Sequence, residues 1–382
     1  MKFLHLSDLH IGKNVNGFSM LEEQKHIFEQ VIRCIKSERP DAVIIAGDIY
    51  DRAIPGVEAV RLFDDLLTEL AHEDVTVLLI SGNHDSPERL GYASRLLAEK
   101  QLFMCGAFEG KPRQVILSDR YGEVNFWLLP FIKPTSVRGM FGEAEIESYD
   151  ETISAALEAA KIDYDTRNVL VSHQFYTKRG CIPIRSESEL NPVGGLDAVD
   201  AELVGWFDYV ALGHLHGRQT AGASHILYAG SPLKYSFSEQ HQKKSMTLVE
   251  LHEKGRLEIT AVPLVPLRDL REIKGELNWL LSPETAGSGD CEDYLRVVLT
   301  DEEELIDPLG KLRSVYPNVM CLDFENSRTG IELGHIASDI GMTEALSPYD
   351  LFQEFFLEVQ GSAMTSKQTK IVRDLLEMED EQ

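Results

Sequence analysis

The sequence predicts an α/β protein of two or three domains, with its chemistry gathered on the first. Three observations carry this. Short β-rich apolar runs alternate with helix-periodic segments over roughly the first 260 residues. From Ser224 to Pro263 the pattern changes to strands without helices. Five short polar motifs fall at or just after the ends of the apolar runs. The 382 residues suit two, at most three, domains at roughly 100–200 residues each, and an apolar fraction of 43% is enough for a sizeable core.

The elements follow in order. Phe3 to Ser7, Ala42 to Ala46, Val75 to Ser81, Phe126 to Leu129, Val169 to Ser172 and Tyr209 to Leu212 read as buried strands. Ile27, Phe28, Val31, Ile32 and Ile35 recur at helical spacing, and Pro40 stops that helix. Arg61 to Leu70 and Arg89 to Lys100 read as further helices. The VPLVPLR stretch at Pro263 to Arg268 reads as a proline-punctuated linker. Beyond it, Tyr294 to Leu299, Asp307 to Val315 and Val319 to Phe324 give a strand, a helix and a strand, a small α+β domain.

The C-terminal stretch differs. Ser347-Pro348 reads as an N-cap and first helical position, and Leu351, Phe352, Phe355, Phe356 and Val359 stripe the helix that follows. Thr365 and Gln368 match a capping box for a second helix striped by Ile371, Val372, Leu375 and Leu376. The expected domains are therefore 1–265, 270–340 and a helical segment at 345–382.

Composition excludes several classes. No apolar run is long enough for a bilayer span, which needs about 20 residues, so no membrane is expected. The first residues read as a strand rather than a signal peptide. Five cysteines, an odd number with no CxxC pair, argue against a disulfide framework or a structural zinc site and fit a cytoplasmic protein. The net charge of −26 would repel nucleic acid in bulk, so any contact with phosphates must be local, metal-assisted or shared with a partner.

The polar motifs are Asp8-Leu9-His10, Gly47-Asp48-Ile49-Tyr50-Asp51, Gly82-Asn83-His84-Asp85, Ser172-His173 and Gly213-His214-Leu215-His216. Sites in open α/β sheets form at the carboxyl ends of strands, so all five are placed to converge. Carboxylate, imidazole and amide oxygen together suit first-row divalent metals such as Mn²⁺, Fe²⁺ or Zn²⁺. On extended chain, Asp8 and His10 face one side, as do His214 and His216. Taken singly, a Gly-Asp after a strand is an ordinary turn and a lone His173 an ordinary buried histidine. Five in order point to a dinuclear site.

These motifs resemble the calcineurin-like metallophosphoesterase superfamily over about residues 1 to 260. The runs FLHLSDLHIGK, AGDIYDRAIP, ISGNHDSPERLG and YAGSPLKYSFSE narrow the likeness to the SbcD family of bacterial nuclease subunits. The resemblance implies a four-layer αββα sandwich with a small α+β capping domain and a C-terminal helical segment. It implies two divalent ions, with Mn²⁺ the expected metal. Asp8, His10 and His216 would hold one, Asn83, His173 and His214 the other, and Asp48 would bridge them. His84 would face the scissile phosphate without binding metal, and Asp85 would support the loop or orient His84.

Two such ions about 3.5–4 Å apart bring a water towards deprotonation at neutral pH, and His84 would stabilise charge or protonate the departing 3′-oxygen. The family's activity is ATP-dependent 3′ to 5′ exonuclease action on duplex DNA with endonuclease opening of hairpins, in repair, replication and recombination. No GxxxxGK[ST] occurs, so ATP dependence would come from an SbcC-type ABC ATPase subunit docked on the C-terminal helices. A homodimer within a heterotetramer is expected, with the Leu21 to Ile35 stripe as candidate interface and own-core packing as its alternative. Lys133, Arg138, Lys178, Arg179, Arg185, Lys234, Lys243 and Lys244 are candidate DNA-phosphate contacts. Competing readings are a small-molecule phosphodiesterase and a non-catalytic scaffold of the same fold.

Overall fold

The computed structural model describes residues 1–137, 139–141, 146–178, 183–189, 198–287 and 289–326, with scattered positions between 352 and 372. The chain divides into two compact units, Met1–Leu270 and Arg271–Gln382.

The first unit is built on two six-stranded sheets. One runs in the order Leu257–Pro263, Ser245–Leu251, Lys2–Leu6, Ala42–Ala46, Thr76–Ile80, Leu102–Cys105. Its last four strands are parallel and its first two antiparallel. The other runs Gln219–Thr220, Ile226–Tyr228, Tyr209–Leu212, Arg167–Ser172, Gly122–Leu129, Arg113–Asp119, parallel in the middle and antiparallel at both edges. The central strands are buried along most of their length because both faces are covered, and Ala42–Ala46 and Tyr209–Leu212 are correspondingly apolar runs. Phe3, Ile44, Leu78 and Ile80 of one sheet share a core with Phe126, Val169, Val171 and Tyr209 of the other. Phe3 meets Phe126 edge-on, with ring centroids 5.6 Å apart.

Helices cover the outer faces. Ile27, Phe28, Val31, Ile32 and Ile35 are buried along Leu21–Glu38, as are Ala59, Phe63, Leu66 and Leu70 along Val57–His72. Tyr149–Ala160 packs Ile153, Ala156 and Leu157 into the core outside the second sheet. The order of layers is helix, sheet, sheet, helix. The Leu21 to Ile35 stripe is thus spent on the chain's own core, which removes it as a dimer interface.

Two expectations are corrected. The helix at Arg89 to Lys100 is two short helices, Pro87–Leu90 and Ser94–Ala98, parted by Ala93 in the left-handed region at φ +58°. There the backbone lies against Gly106, where an added Cβ would come within 2.0 Å of the Pro87 carbonyl oxygen. The Pro263 to Arg268 segment is no loose linker: Gln30 exchanges hydrogen bonds with Val265 at 2.6 and 3.1 Å, and Arg268 bonds Glu22 and Glu23. Two strands, Leu102–Cys105 and Arg113–Asp119, are not visible in the sequence pattern; the second is an edge strand with alternating exposure.

The second unit holds a three-stranded sheet, Leu270–Gly275, Tyr294–Leu299 and Val319–Phe324, the first strand starting at the boundary. The last two strands are parallel, joined through Pro308–Arg313, whose N-cap Asp307 accepts from the Gly310 amide. Leu277, Leu280, Leu295, Val297, Leu312, Tyr316 and Val319 form its core. Most of the expected C-terminal helices lie outside the described residues. Those described, Phe352, Gln353, Phe356, Leu357, 367–369, Ile371 and Val372, are helical, with Phe352, Leu357 and Ile371 exposed. The Thr365 amide donates to Gln368 Oε1 at 2.8 Å and the Gln368 amide to Thr365 Oγ at 3.5 Å, the reciprocal pair of a capping box. Among the described residues no helix is long and apolar enough to cross a membrane. Cys34, Cys105, Cys291 and Cys321 are free thiols; Cys181 lies outside the described residues.

Candidate metal centre

Five parallel strands end at one place. Lys2–Leu6 delivers Asp8 and His10, Ala42–Ala46 delivers Asp48, Thr76–Ile80 delivers Asn83 to Asp85, Arg167–Ser172 delivers His173, and Tyr209–Leu212 delivers His214 and His216. The tips of the two sheets touch here, and glycine makes that possible. A Cβ on Gly213 would come within 1.9 Å of the Ala46 carbonyl oxygen, and one on Gly47 within 2.3 Å of His173 Nδ1. The turns are tight enough to hold Asp8, His10, Asp48 and His214 at φ of +52°, +44°, +50° and +101°. Left-handed backbone at non-glycine residues costs of order 1–3 kcal/mol each and clusters at functional sites.

All seven expected ligand residues come together. His10 Nε2 lies 3.1 Å from His216 Nε2 and 3.6 Å from Asp48 Oδ2. His173 Nε2 lies 3.3 Å from Asp48 Oδ2, 3.1 Å from Asn83 Oδ1 and 4.0 Å from Asp8 Oδ1. Asn83 Oδ1 is also 3.0 Å from His214 Nδ1, and both Asp8 oxygens accept from the His214 amide. Ligand atoms of Asp8, His10 and His216 lie within 4.8 Å of one another, as do those of Asp8, Asp48 and His173 and those of His10, Asp48 and His84.

The donor set fits divalent cations. The His173 Nδ1–H donates to the Ala46 carbonyl at 2.7 Å, which turns Nε2 towards the oxygens of Asp48 and Asn83, where it can carry a proton or face a cation. His216 Nδ1 sits 2.8 Å from Ser188 Oγ and 3.4 Å from Glu239 Oε1, which likewise turns its Nε2 lone pair towards His10. His10 Nδ1 is buried without a hydrogen-bond partner. Imidazole nitrogens and carboxylate and amide oxygens gathered this closely in a buried pocket form a donor set that a divalent cation fits. The electrostatics agree. Burial pushes the Asp8 carboxyl up and the His10 imidazole well down. Burial also opposes charge on His173, yet the adjacent Asp48 and Asp8 carboxylates outweigh it and lift that imidazole to about 9. A pocket that raises a buried imidazole so far is one in which positive charge is strongly favoured.

His84 and Asp85 divide their roles. The His84 ring stands edge-on to His10, with centroids 4.8 Å apart, and its Nδ1–H donates to the Asp51 carbonyl at 3.0 Å. That contact leaves Nε2 as the atom to be presented. Asp85 accepts from the amides of Ile49, Tyr50 and Gly82 at 3.1, 2.9 and 2.9 Å. Burial, with the nearby Asp48 charge, raises its carboxyl to about 6 against those three bonds. Of the two roles expected for Asp85, loop support is the one this geometry carries; the Asp51 carbonyl orients His84.

A supporting layer is not visible in the motifs. Glu239 joins Ser188, His216 and Lys244, and its carboxyl is held well below the usual range because His216 and Lys244 outweigh the effect of burial. Glu189 accepts from the His216 amide at 2.7 Å. Gln24, on the first helix, donates to the His10 carbonyl at 2.7 Å. Glu239 lies inside the YAGSPLKYSFSE run, the only signal that could have pointed to it.

The expected DNA-facing cations separate. Lys244 is buried and its ammonium donates to Glu239, His216, Ser231 and Gln242, so it supports the cage from behind. Lys234 is 11% exposed and committed to Asp269 and Gln240. Neither remains a candidate phosphate contact. Lys133, Lys178 and Lys243 are exposed and Arg185 half-buried, while Arg138 and Arg179 lie outside the described residues.

Residues 1–218 match the family described as calcineurin-like phosphoesterase. Residues 266–360 match the family described as type 5 capsule protein repressor C-terminal domain. The chain is 36% identical over 325 residues to the SbcD subunit of the SbcCD nuclease of Staphylococcus epidermidis, covering 84% of this chain and 85% of that one. It is 30% identical over 379 residues to the SbcD subunit of the same nuclease of Staphylococcus saprophyticus, covering 98% of each. Fold and site thus define a calcineurin-like phosphoesterase. Within that class, the chain belongs to the SbcD family of nuclease subunits.

Proposed function

We propose that this protein is a dinuclear-metal DNA phosphodiesterase, the nuclease subunit of an ATP-dependent SbcCD-type complex that processes DNA ends and hairpins in repair, replication and recombination. One observation supports it above the others: ring nitrogens of His10, His216 and His173 and the amide oxygen of Asn83 gather with the Asp48 carboxylate in a buried pocket. Asp8, His10 and His216 would hold one ion and Asn83, His173 and His214 the other, with Asp48 shared and Mn²⁺ the metal expected. Bound divalent ions supply Lewis acidity and a water acidified towards neutral pH.

The chain's own residues do the rest. Asp85 fixes the turn that carries Asn83 and His84 by taking three loop amides. The Asp51 carbonyl holds His84 Nδ1–H, so a proton on Nε2 is aimed outward, and its transfer to the departing 3′-oxygen is general-acid catalysis worth typically 10²–10⁴-fold. Ser188 and Glu239 hold His216 Nδ1 and thereby fix the direction of its Nε2. The exposed Lys133, Lys178 and Lys243 and the half-buried Arg185 remain candidate phosphate contacts.

The partners proposed are double-stranded and hairpin DNA, and an SbcC-type ATPase docked on the C-terminal helices. A homodimer is proposed too. Val57 and Val60, exposed one turn apart, are apolar side chains that such an interface would cover, as are the exposed Tyr92 and Leu96. The test is end-labelled hairpin and linear duplex DNA with Mn²⁺, with and without the ATPase and ATP, beside a simple phosphodiester. Metal-dependent cleavage of both DNAs is expected, from the 3′ end on the duplex. Turnover of the simple diester alone would make the protein a small-molecule phosphodiesterase, and no turnover at all a scaffold.

A further inference from the structure

Residues 183–189 cross the metal centre as a strap, pinned on both flanks of Arg185. Ile184 exchanges two hydrogen bonds with the Gln219 side chain, its amide donating at 3.0 Å and its carbonyl accepting at 2.7 Å. The Glu187 amide donates to Ser238 Oγ at 3.0 Å, and Ser188 and Glu189 bond His216 at 2.8 and 2.7 Å. None of these bonds uses the Arg185 side chain. Its guanidinium carbon stands 3.9 Å from the centroid of the Phe175 ring, and that ring's centroid is 6.1 Å from that of His214. These two distances keep the guanidinium within about 10 Å of the His214 ring.

Among the described residues, no carboxylate lies within ion-pair distance of Arg185. A half-buried arginine stacked on an aromatic face, its N–H fork uncommitted, has the form of an anion receptor: the stack fixes the plane, and the fork matches two oxygens.

We infer that Arg185 is a phosphate clamp of this site, binding a non-bridging oxygen of the scissile phosphodiester from the His214 flank while His84 approaches from the His10 flank. The inference rests on the phosphodiesterase reading above. Phe175 is then a positioning residue for the clamp, and the strap couples the clamp to the shell around His216. A fixed guanidinium at that oxygen neutralises charge that builds as the phosphorus is attacked, without reorganising at that moment.

The test compares full-length wild type, Arg185→Ala and Arg185→Lys. Metal content is measured by elemental analysis, affinity for inorganic phosphate by calorimetry with Mn²⁺, and kcat and KM on bis(4-nitrophenyl) phosphate. Metal content is expected to stay at the wild-type level. The alanine variant should bind phosphate about tenfold or more weakly and lose about 100-fold in kcat/KM, with lysine restoring only part of each. Phosphate affinity within twofold of wild type in both variants would overturn the clamp, and so would loss of metal in both, which would make Arg185 structural. A wild type that holds metal and binds phosphate but hydrolyses no diester would sink the phosphodiesterase reading alone, with the phosphate affinities still deciding Arg185.

Discussion

His84 and Asp48 sit side by side and are expected to fail in opposite ways. The His84 amide donates to Asp48 Oδ1 at 2.8 Å, so the two neighbouring turns are tied together, but only Asp48 directs an oxygen at both His10 and His173. Replacing His84 by Ala or Gln should abolish cleavage and leave metal content intact. Elemental analysis showing both metals lost would move His84 into the ligand set, a position its distance to His10 and Asp48 also permits. Asp48→Asn should strip metal from both positions, because the remaining ligands then lack the charge that joins the two halves. Asp85→Asn is a third case. An amide places an NH₂ donor where one carboxylate oxygen accepted, so at least one of the Ile49, Tyr50 and Gly82 amides loses its partner in a buried turn. The expected loss is about 1–3 kcal/mol of stability, read from the denaturant midpoint, together with weaker metal binding. Unchanged stability would show that the loop does not depend on that carboxylate.

Strand tips make the cage, and the geometry between them explains what is legible in the sequence. Ala42–Ala46 and Tyr209–Leu212 can be read to the residue because a strand buried on both faces is a continuous apolar run. The ligands can be read because each follows such a run within a few residues. Arg113–Asp119 cannot, since an edge strand half in water carries a weak pattern. Glu239 and Ser188 cannot either: they meet His216 through tertiary contacts across 23 and 28 positions of chain, and no local periodicity encodes that. Lys244 misleads for the same reason, a cation in a loop whose four partners appear only on folding. Glycines at the tips carry information of another kind. Gly213 is where the second sheet's tip meets the first, with the Ala46 oxygen 1.9 Å from any added Cβ, and backbone cannot step aside as a side chain can. Gly213→Ala should therefore separate the Asp48 and His214 tips. The expected outcome is loss of metal with far-ultraviolet circular dichroism close to wild type, and full metal content would show that the sheets can part without breaking the cage.

Charge decides what the entire protein can do alone. With a net charge of −26, a long DNA duplex meets overall repulsion, and the cations left exposed near the centre among the described residues are few. Every residue proposed to hold metal, with His84 and the shell around His216, lies in Met1–Leu270, so the proposed chemistry is confined to that unit. If DNA is the substrate, as proposed, a partner that contributes a basic surface as well as ATP hydrolysis would supply the grip this acidic chain lacks. The C-terminal segment is the natural place for it. Its described helical positions expose Phe352, Leu357 and Ile371, large apolar side chains that a helix in water buries when it can. Removing everything after Ala345 should leave Mn²⁺-dependent hydrolysis of a small phosphodiester near the wild-type rate. It should abolish co-elution with the ATPase subunit on size exclusion, and with it any ATP-stimulated cleavage of duplex ends. Continued co-elution would place the docking surface on residues before 345, whereas loss of small-diester hydrolysis would show that the segment supports the catalytic unit itself.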